Sequence, residues 1–162
     1  MARDTTASSI TADLPFIWGL PAAGCVDRRE AAYRTGVAVQ LGLSASVDLT
    51  VSTDDTALAA HSGDVPVLAT PRIIALCEEA AVKVLDGRLD AGETTVGMQV
   101  QLDHLAPTAV GHRVAAEATI ERVTGRRITF TVSVNDERGL IAVGRVTRVI
   151  VDIERFLDKA GR

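Results

Sequence analysis

Residues 65–85 read VPVLATPRIIALCEEAAVKVL, and this stretch decides the fold. Thr70 followed by Pro71 marks a helix start. A threonine hydroxyl can accept from the free amides of the first turn, and proline at the first helical position forfeits no hydrogen bond. The helix is expected to end near Asp86–Gly87, where glycine can take the left-handed C-cap conformation. Three and four residues from Glu78 lie Ile74, Ala75, Ala81 and Val82, with Leu85 a turn further on. The pattern therefore predicts a carboxylate on a buried apolar stripe with no partner on its own helix. Such a group costs several kcal/mol unless it is partnered or protonated, so either a functional role or the capping of a buried loop must account for it. Glu79 differs: Lys83 stands four residues on, in the order expected of a solvated ion pair.

Outward from the helix the periodicity changes to two. Before it, Ala45, Val47, Leu49 and Val51 alternate with Ser46, Asp48 and Thr50, and a connection from Ser52 to Asp64 follows. After it, Val96, Met98, Val100, Leu102 and His104 form one face of a strand that stops at Pro107. Val114 to Glu121 form a second strand, up to a turn at Thr124–Gly125, and Ile128 to Val134 a third. Leu140 to Asp152 is apolar on both faces, as befits a central or interface strand. The expected order is strand, long helix, then a meander of four strands. This is an α+β class chain of the hot-dog kind: one long central helix wrapped by an antiparallel sheet of about five strands. One helix cannot cover every apolar face, which predicts a homodimer, possibly a higher oligomer, with strands continuing across the two-fold axis.

At 162 residues the chain suits one domain, here 41–162, behind an N-terminal extension, 1–40, expected to be partly disordered. Within the extension Phe16, Ile17 and Trp18 are candidates to dock on the domain or a partner, and Arg28–Tyr33 to form a short helical turn. Pro15, Pro21 and Asp13 argue against a cleaved leader over Leu14–Cys25. A net charge of −4 with 3% aromatic residues leaves no footprint for nucleic acid. No apolar run approaches the ~18 residues of a membrane span. Cys25 and Cys77 make no disulfide framework, with Cys77 expected as a buried inert thiol, and a reducing cytoplasm is the expected location. The three histidines and two cysteines lack ligand spacing, so no metal is expected.

Four features carry a resemblance: VLAT before the helix, Thr70 and Glu78 eight positions apart, the strand TVGMQVQLDH with Gly97 and His104, and the terminal GRVTRVIVDIERF. Together they resemble the fluoroacetyl-CoA thioesterase-like family of hot-dog thioesterases, over about residues 45 to 160. The resemblance implies a catalytic set of Thr70, Glu78 and His104, an acyl pocket lined by Gly97, and an arginine near the end of the last strand, Arg148, in substrate binding. Where the fluoroacetate-specific relative carries gating phenylalanines ahead of the threonine, this chain reads HSGDVPVLAT, which places Val65 at the pocket. The implied activity is hydrolysis of a small or medium acyl-CoA at a dimer interface, with coenzyme A as part of the substrate and no separate cofactor. Glu78 is expected to face the sheet within reach of His104, with Thr70 at the mouth of the same cavity. Either Thr70 attacks the thioester, with His104 and Glu78 relaying its proton, or Thr70 positions the substrate while Glu78 or His104 activates water. The plainer readings are Thr70 as an N-cap, His104 as a satisfied core histidine and Gly97 as a strand glycine at a bulge. Arg126 and Arg127, beside a turn, are candidates for the phosphates of coenzyme A, though such arginines are usually just solvated. The alternative function is a non-catalytic acyl-CoA or acyl-carrier binding protein; a hydratase is disfavoured because its aspartate and histidine spacing is missing.

Overall fold

The computed structural model describes residues 39–161, all within the compact unit Ala31–Arg162. The expectations for Cys25, for Phe16–Trp18 and for Arg28–Tyr33 lie outside the described residues. Strand β1 (Ser44–Thr50) is followed by a 3₁₀ turn at Thr53–Asp55 and the long helix α1 (Thr70–Val84). Then come β2 (Glu93–His104), β3 (Arg113–Thr124), β4 (Arg127–Asp136), β5 (Gly139–Asp152) and a short helix α2 (Ile153–Lys159).

Helix α1 turns Ile73, Leu76, Cys77, Ala80, Ala81 and Val84 to the sheet. There they join Ala116, Ala118 and Ile120 of β3 and Phe130, Val132 and Val134 of β4 in one core. Those alanines on the helix and β3, and Phe130 on β4, are wholly buried in this core. The Cys77 thiol is pushed up to about 12 by burial, which leaves it unreactive. Among the described residues no helix is long and apolar enough to cross a membrane.

The sheet order is β1-β3-β4-β5-β2, every pairing antiparallel. The expected four-stranded meander is therefore corrected to three strands: β2 pairs with β5 at the far edge, not with β3. The segment after His104 carries the chain from one edge region to the other, and Leu105 and Ala106 anchor its start by donating to the Ile141 carbonyl. The rest of the helix reading also needs adjustment. Lys83 donates to the Ser46 carbonyl at 2.9 Å, which ties α1 to β1, in place of the expected pairing with Glu79. Gly87 does adopt the left-handed conformation, φ 67°, just past the helix end. Helix α2 was not expected; its N-cap is Asp152, whose carboxylate accepts from the Arg155 amide at 2.9 Å.

Gly144 fixes how closely β2 lies on β5. A Cβ at Gly144 would stand 2.9 Å from the Leu102 Cα and collide with the Gln101 carbonyl, both backbone atoms that cannot swing aside. Gly144→Ala is expected to lower stability by about 1–3 kcal/mol, read from the midpoint of chemical denaturation, by pushing β2 off its neighbour.

Candidate active site

Strand β2 carries one extra residue. Thr95 faces Ile150 and Gly97 faces Arg148, but past Met98 the register slips by one, and Val100, Leu102 and His104 face Val146, Gly144 and Ala142. All five partners on β5 are even-numbered and share one face, so the bulge lies on β2. It corrects the unbroken alternation expected there: Met98 is 51% exposed, while Thr95 and Gly97 turn to the same side as His104. Gly97 is thus a bulge glycine that also gives Glu78 its room. A Cβ there would collide with Oε1 of Glu78.

Glu78 sits at the rim of the helix–sheet interface, its side chain 33% exposed, between the buried stripe and the exposed Ala75 and Val82. This corrects the expectation of a carboxylate on a fully buried stripe. Its partner comes from the sheet, as the bare helix required: Arg148 donates from Nη1 to Glu78 Oε1 at 3.1 Å. The Arg148 side chain, 8% exposed, also donates from Nε to Thr95 Oγ1 at 3.0 Å and from Nη2 to the Thr95 carbonyl at 2.8 Å. Burial draws the guanidinium down from its ordinary value and Glu78 opposes the fall; it stays charged at any working pH.

Two turns back along α1, Thr70 occupies the first turn of the helix, but Ala69 is the N-cap and no side chain caps it. The plain N-cap reading of Thr70 is thereby corrected. Its hydroxyl goes instead to His104, with Oγ1 and Nδ1 2.9 Å apart. On the other side of the ring, Nε2 lies 3.0 Å from the Ala106 carbonyl. A carbonyl can only accept, so Nε2 carries the proton of the neutral ring and Nδ1 is the acceptor for the Thr70 hydroxyl. The Ala106 carbonyl accepts from Nε2 as a carboxylate accepts from Nδ1 in a Ser-His-Asp triad, with the two ring nitrogens exchanged.

Both ring nitrogens of His104 are committed, and neither bond goes to Glu78. Eight residues at about 1.5 Å rise put Thr70 and Glu78 roughly 12 Å apart along α1. The structure joins Thr70 to His104, and Glu78 to Arg148 and Gly97, as two neighbouring clusters and not one relay. Val65 lies on the exposed segment ahead of α1, and Arg126 faces Glu93 with 3.8 Å between charged atoms. Arg72 anchors the helix start through a 2.8 Å bond to Asp55, whose backbone carbonyl accepts from the Ala69 amide. Sequence reasoning missed Thr95 and Ala106. A threonine in an alternating strand looks like any solvent-facing residue, and a backbone carbonyl leaves no mark on a sequence.

The fold places the chain in a class, the thioesterases of the hot-dog fold. A hot-dog-like protein from Thermanaerovibrio acidaminovorans superposes with a TM-score of 0.69 at 26% identity, over 74% of this chain and 89% of that one. Within the class, the chain belongs to the family described as FlK, fluoroacetyl-CoA-specific thioesterase, whose profile matches residues 51–154. The fluoroacetyl-CoA thioesterase of Streptantibioticus cattleyicolor is 32% identical over 93 residues, which are 57% of this chain and 67% of the relative. The solved fluoroacetyl-CoA thioesterase FlK superposes with a TM-score of 0.72 at 27% identity, over 75% of this chain and 94% of that one. The protein is accordingly a thioester hydrolase of acyl-CoA substrates.

Gly97→Ala tests the Glu78–Arg148 pair. The atom that a Cβ would strike is the end of a flexible side chain, so Glu78 is expected to swing off Arg148 and leave the buried guanidinium with Thr95 alone. Stability is expected to fall by about 1–3 kcal/mol, read from the midpoint of chemical denaturation. Acyl-CoA hydrolysis should fall about tenfold or more, as thiol release measures, because the carboxylate is displaced.

Proposed function

We propose that the protein hydrolyses a small or medium acyl-CoA to the free acid and coenzyme A, with Thr70 as nucleophile and His104 as its base. The observation that supports this most is the hydroxyl–imidazole bond with the ring's other nitrogen already committed to Ala106. In that tautomer His104 Nδ1 takes the Thr70 proton as Oγ1 attacks the thioester carbon. The carbon–sulfur bond breaks, the imidazolium returns its proton to the departing thiolate, and an acyl ester remains on Thr70. Water then attacks the ester, giving its proton to Nδ1; the acid leaves and Thr70 Oγ1 recovers the proton. The first-turn amides and the positive end of α1 stand beside the nucleophile, suited to a carbonyl oxygen gaining charge. Glu78, held by Arg148 and facing Gly97, orients substrate and water at the acyl end of the pocket.

The acting unit is a homodimer, with the site completed at the interface. Strand β2 is an edge strand, and Val82 on α1, 43% exposed, and Met98 on β2 offer apolar surface that a second copy would cover. Val65 in place of a gating aromatic favours acyl groups other than fluoroacetyl. The buried free thiol of Cys77 suits a cytoplasmic enzyme.

A panel of acyl-CoAs assayed for free thiol is expected to reveal a substrate that Thr70→Val hydrolyses at least about 100-fold more slowly. Undiminished turnover by that variant would remove Thr70 from the chemistry. Glu78→Gln is expected to lower turnover too; if no substrate is hydrolysed faster by the wild type, a binding protein is the better description. Sedimentation at micromolar concentration is expected to return twice the mass of the chain.

A further inference from the structure

The residue that sets the tautomer of His104 is a backbone carbonyl, and a carbonyl is only as well placed as the segment that carries it. Ala106 lies between β2 and β3, in a stretch with no regular ladder of its own. That stretch is gripped from the β4–β5 turn. Thr108, wholly buried, lies with Oγ1 3.2 Å from Asp136 Oδ2 and donates to it. The Asp136 side chain is 1% exposed although it carries a charge. Arg138 meets it three times over, donating from its amide to Oδ1 at 2.8 Å, and from Nη2 at 2.8 Å and Nε at 3.2 Å to Oδ2. The same Nη2 donates to the Pro107 carbonyl at 2.6 Å, one residue past Ala106.

The grip reaches the other half of the dyad as well. The Thr108 carbonyl accepts from the Leu68 amide at 2.9 Å, two residues before Thr70, and Val67 bridges Ala109. One buried carboxylate thus references both the carbonyl that orients His104 and the segment that delivers Thr70. We infer that Asp136, with Arg138 and Thr108, is a positioning group for the reaction, fixing the proton on Nε2 of His104 and aligning Thr70 with Nδ1. It lies outside the pocket and touches no reacting atom. The inference rests on the Thr70–His104 reading given above.

The test uses the full-length protein labelled with ¹⁵N, in which the imidazole nitrogen resonances of His104, assigned by comparison with His104→Gln, show which nitrogen carries the proton. In Asp136→Asn an amide can satisfy either the Arg138 amide or the guanidinium and Thr108, but not both sides. Its kcat is expected to fall ~10- to 100-fold with KM little changed, and the His104 pattern to move from one tautomer toward a mixture. Arg138→Met, at a largely exposed side chain, should shift both readouts the same way, while Thr108→Ser, which keeps the hydroxyl, should restore wild-type values relative to Thr108→Val. Folded variants that keep wild-type kcat overturn the inference, and so does a fall in kcat with the His104 pattern unchanged. If Asp136→Asn does not fold, Arg138→Met decides by the same two readouts. The tautomer is read in the resting protein, so a failure of Thr70 as nucleophile is distinguishable from a failure of the clamp.

Discussion

One inserted residue in β2 organises the site. From Gly97 to His104 is seven positions, an odd number, and in an unbroken strand these two residues would point to opposite faces. The bulge at Met98 reverses the parity, so Gly97 opens room for Glu78 while His104 faces the start of the same helix. Strand β5 runs straight behind it, with Arg148 opposite Gly97 and Ala142 opposite His104, and supplies the fixed frame against which the slip is defined. Gly144 lets the frame close, because its missing side chain admits the backbone of Gln101 and Leu102.

Arg148 turns that frame into an electrostatic site. Its guanidinium is buried between strands and would be a costly isolated charge, but Thr95 accepts from two of its nitrogens and Glu78 from a third. The fork of arginine suits this three-way arrangement in a way an ammonium would not. Glu78 is consequently held from the sheet side while its rim position leaves it a third exposed. The carboxylate is so fixed without any partner on the helix that carries it.

Much of the fold was legible from periodicity. Val114, Ala116, Ala118 and Ile120, and then Ile128, Phe130, Val132 and Val134, are buried in the alternation the sequence implies, and Thr70–Pro71 does open the helix. What periodicity could not supply was adjacency. Alternation states which face a residue takes and not which strand lies beside it, so the departure of β2 to the far edge was invisible. Nor did Gly97, Met98 and Gln99 announce a bulge, since apolar and polar residues kept alternating through it. At the site, Thr70, Glu78, His104, Gly97 and Arg148 could be nominated, but the pairing among them could not. Thr-Pro is an equally good signature for a capping hydroxyl and for one free to meet a histidine, and only the absence of a side-chain cap distinguishes them.

In the proposed mechanism, the carbonyl in place of a carboxylate behind His104 fits the chemistry of a thioester. In a serine protease the buried aspartate both fixes the tautomer and stabilises the imidazolium, which must then protonate an amine as it leaves. The Ala106 carbonyl fixes the tautomer by geometry and contributes only a dipole to the charged ring. A thioester asks for less, because a thiol with a pKa of about 8.5 leaves readily as thiolate, where an amine would have to leave as the far more basic amide anion unless its proton is delivered. Geometry therefore matters more here than added negative charge. Polar bonds gather accordingly on the segment that holds the carbonyl, on the backbone that delivers Thr70, and on the arginine that holds Glu78.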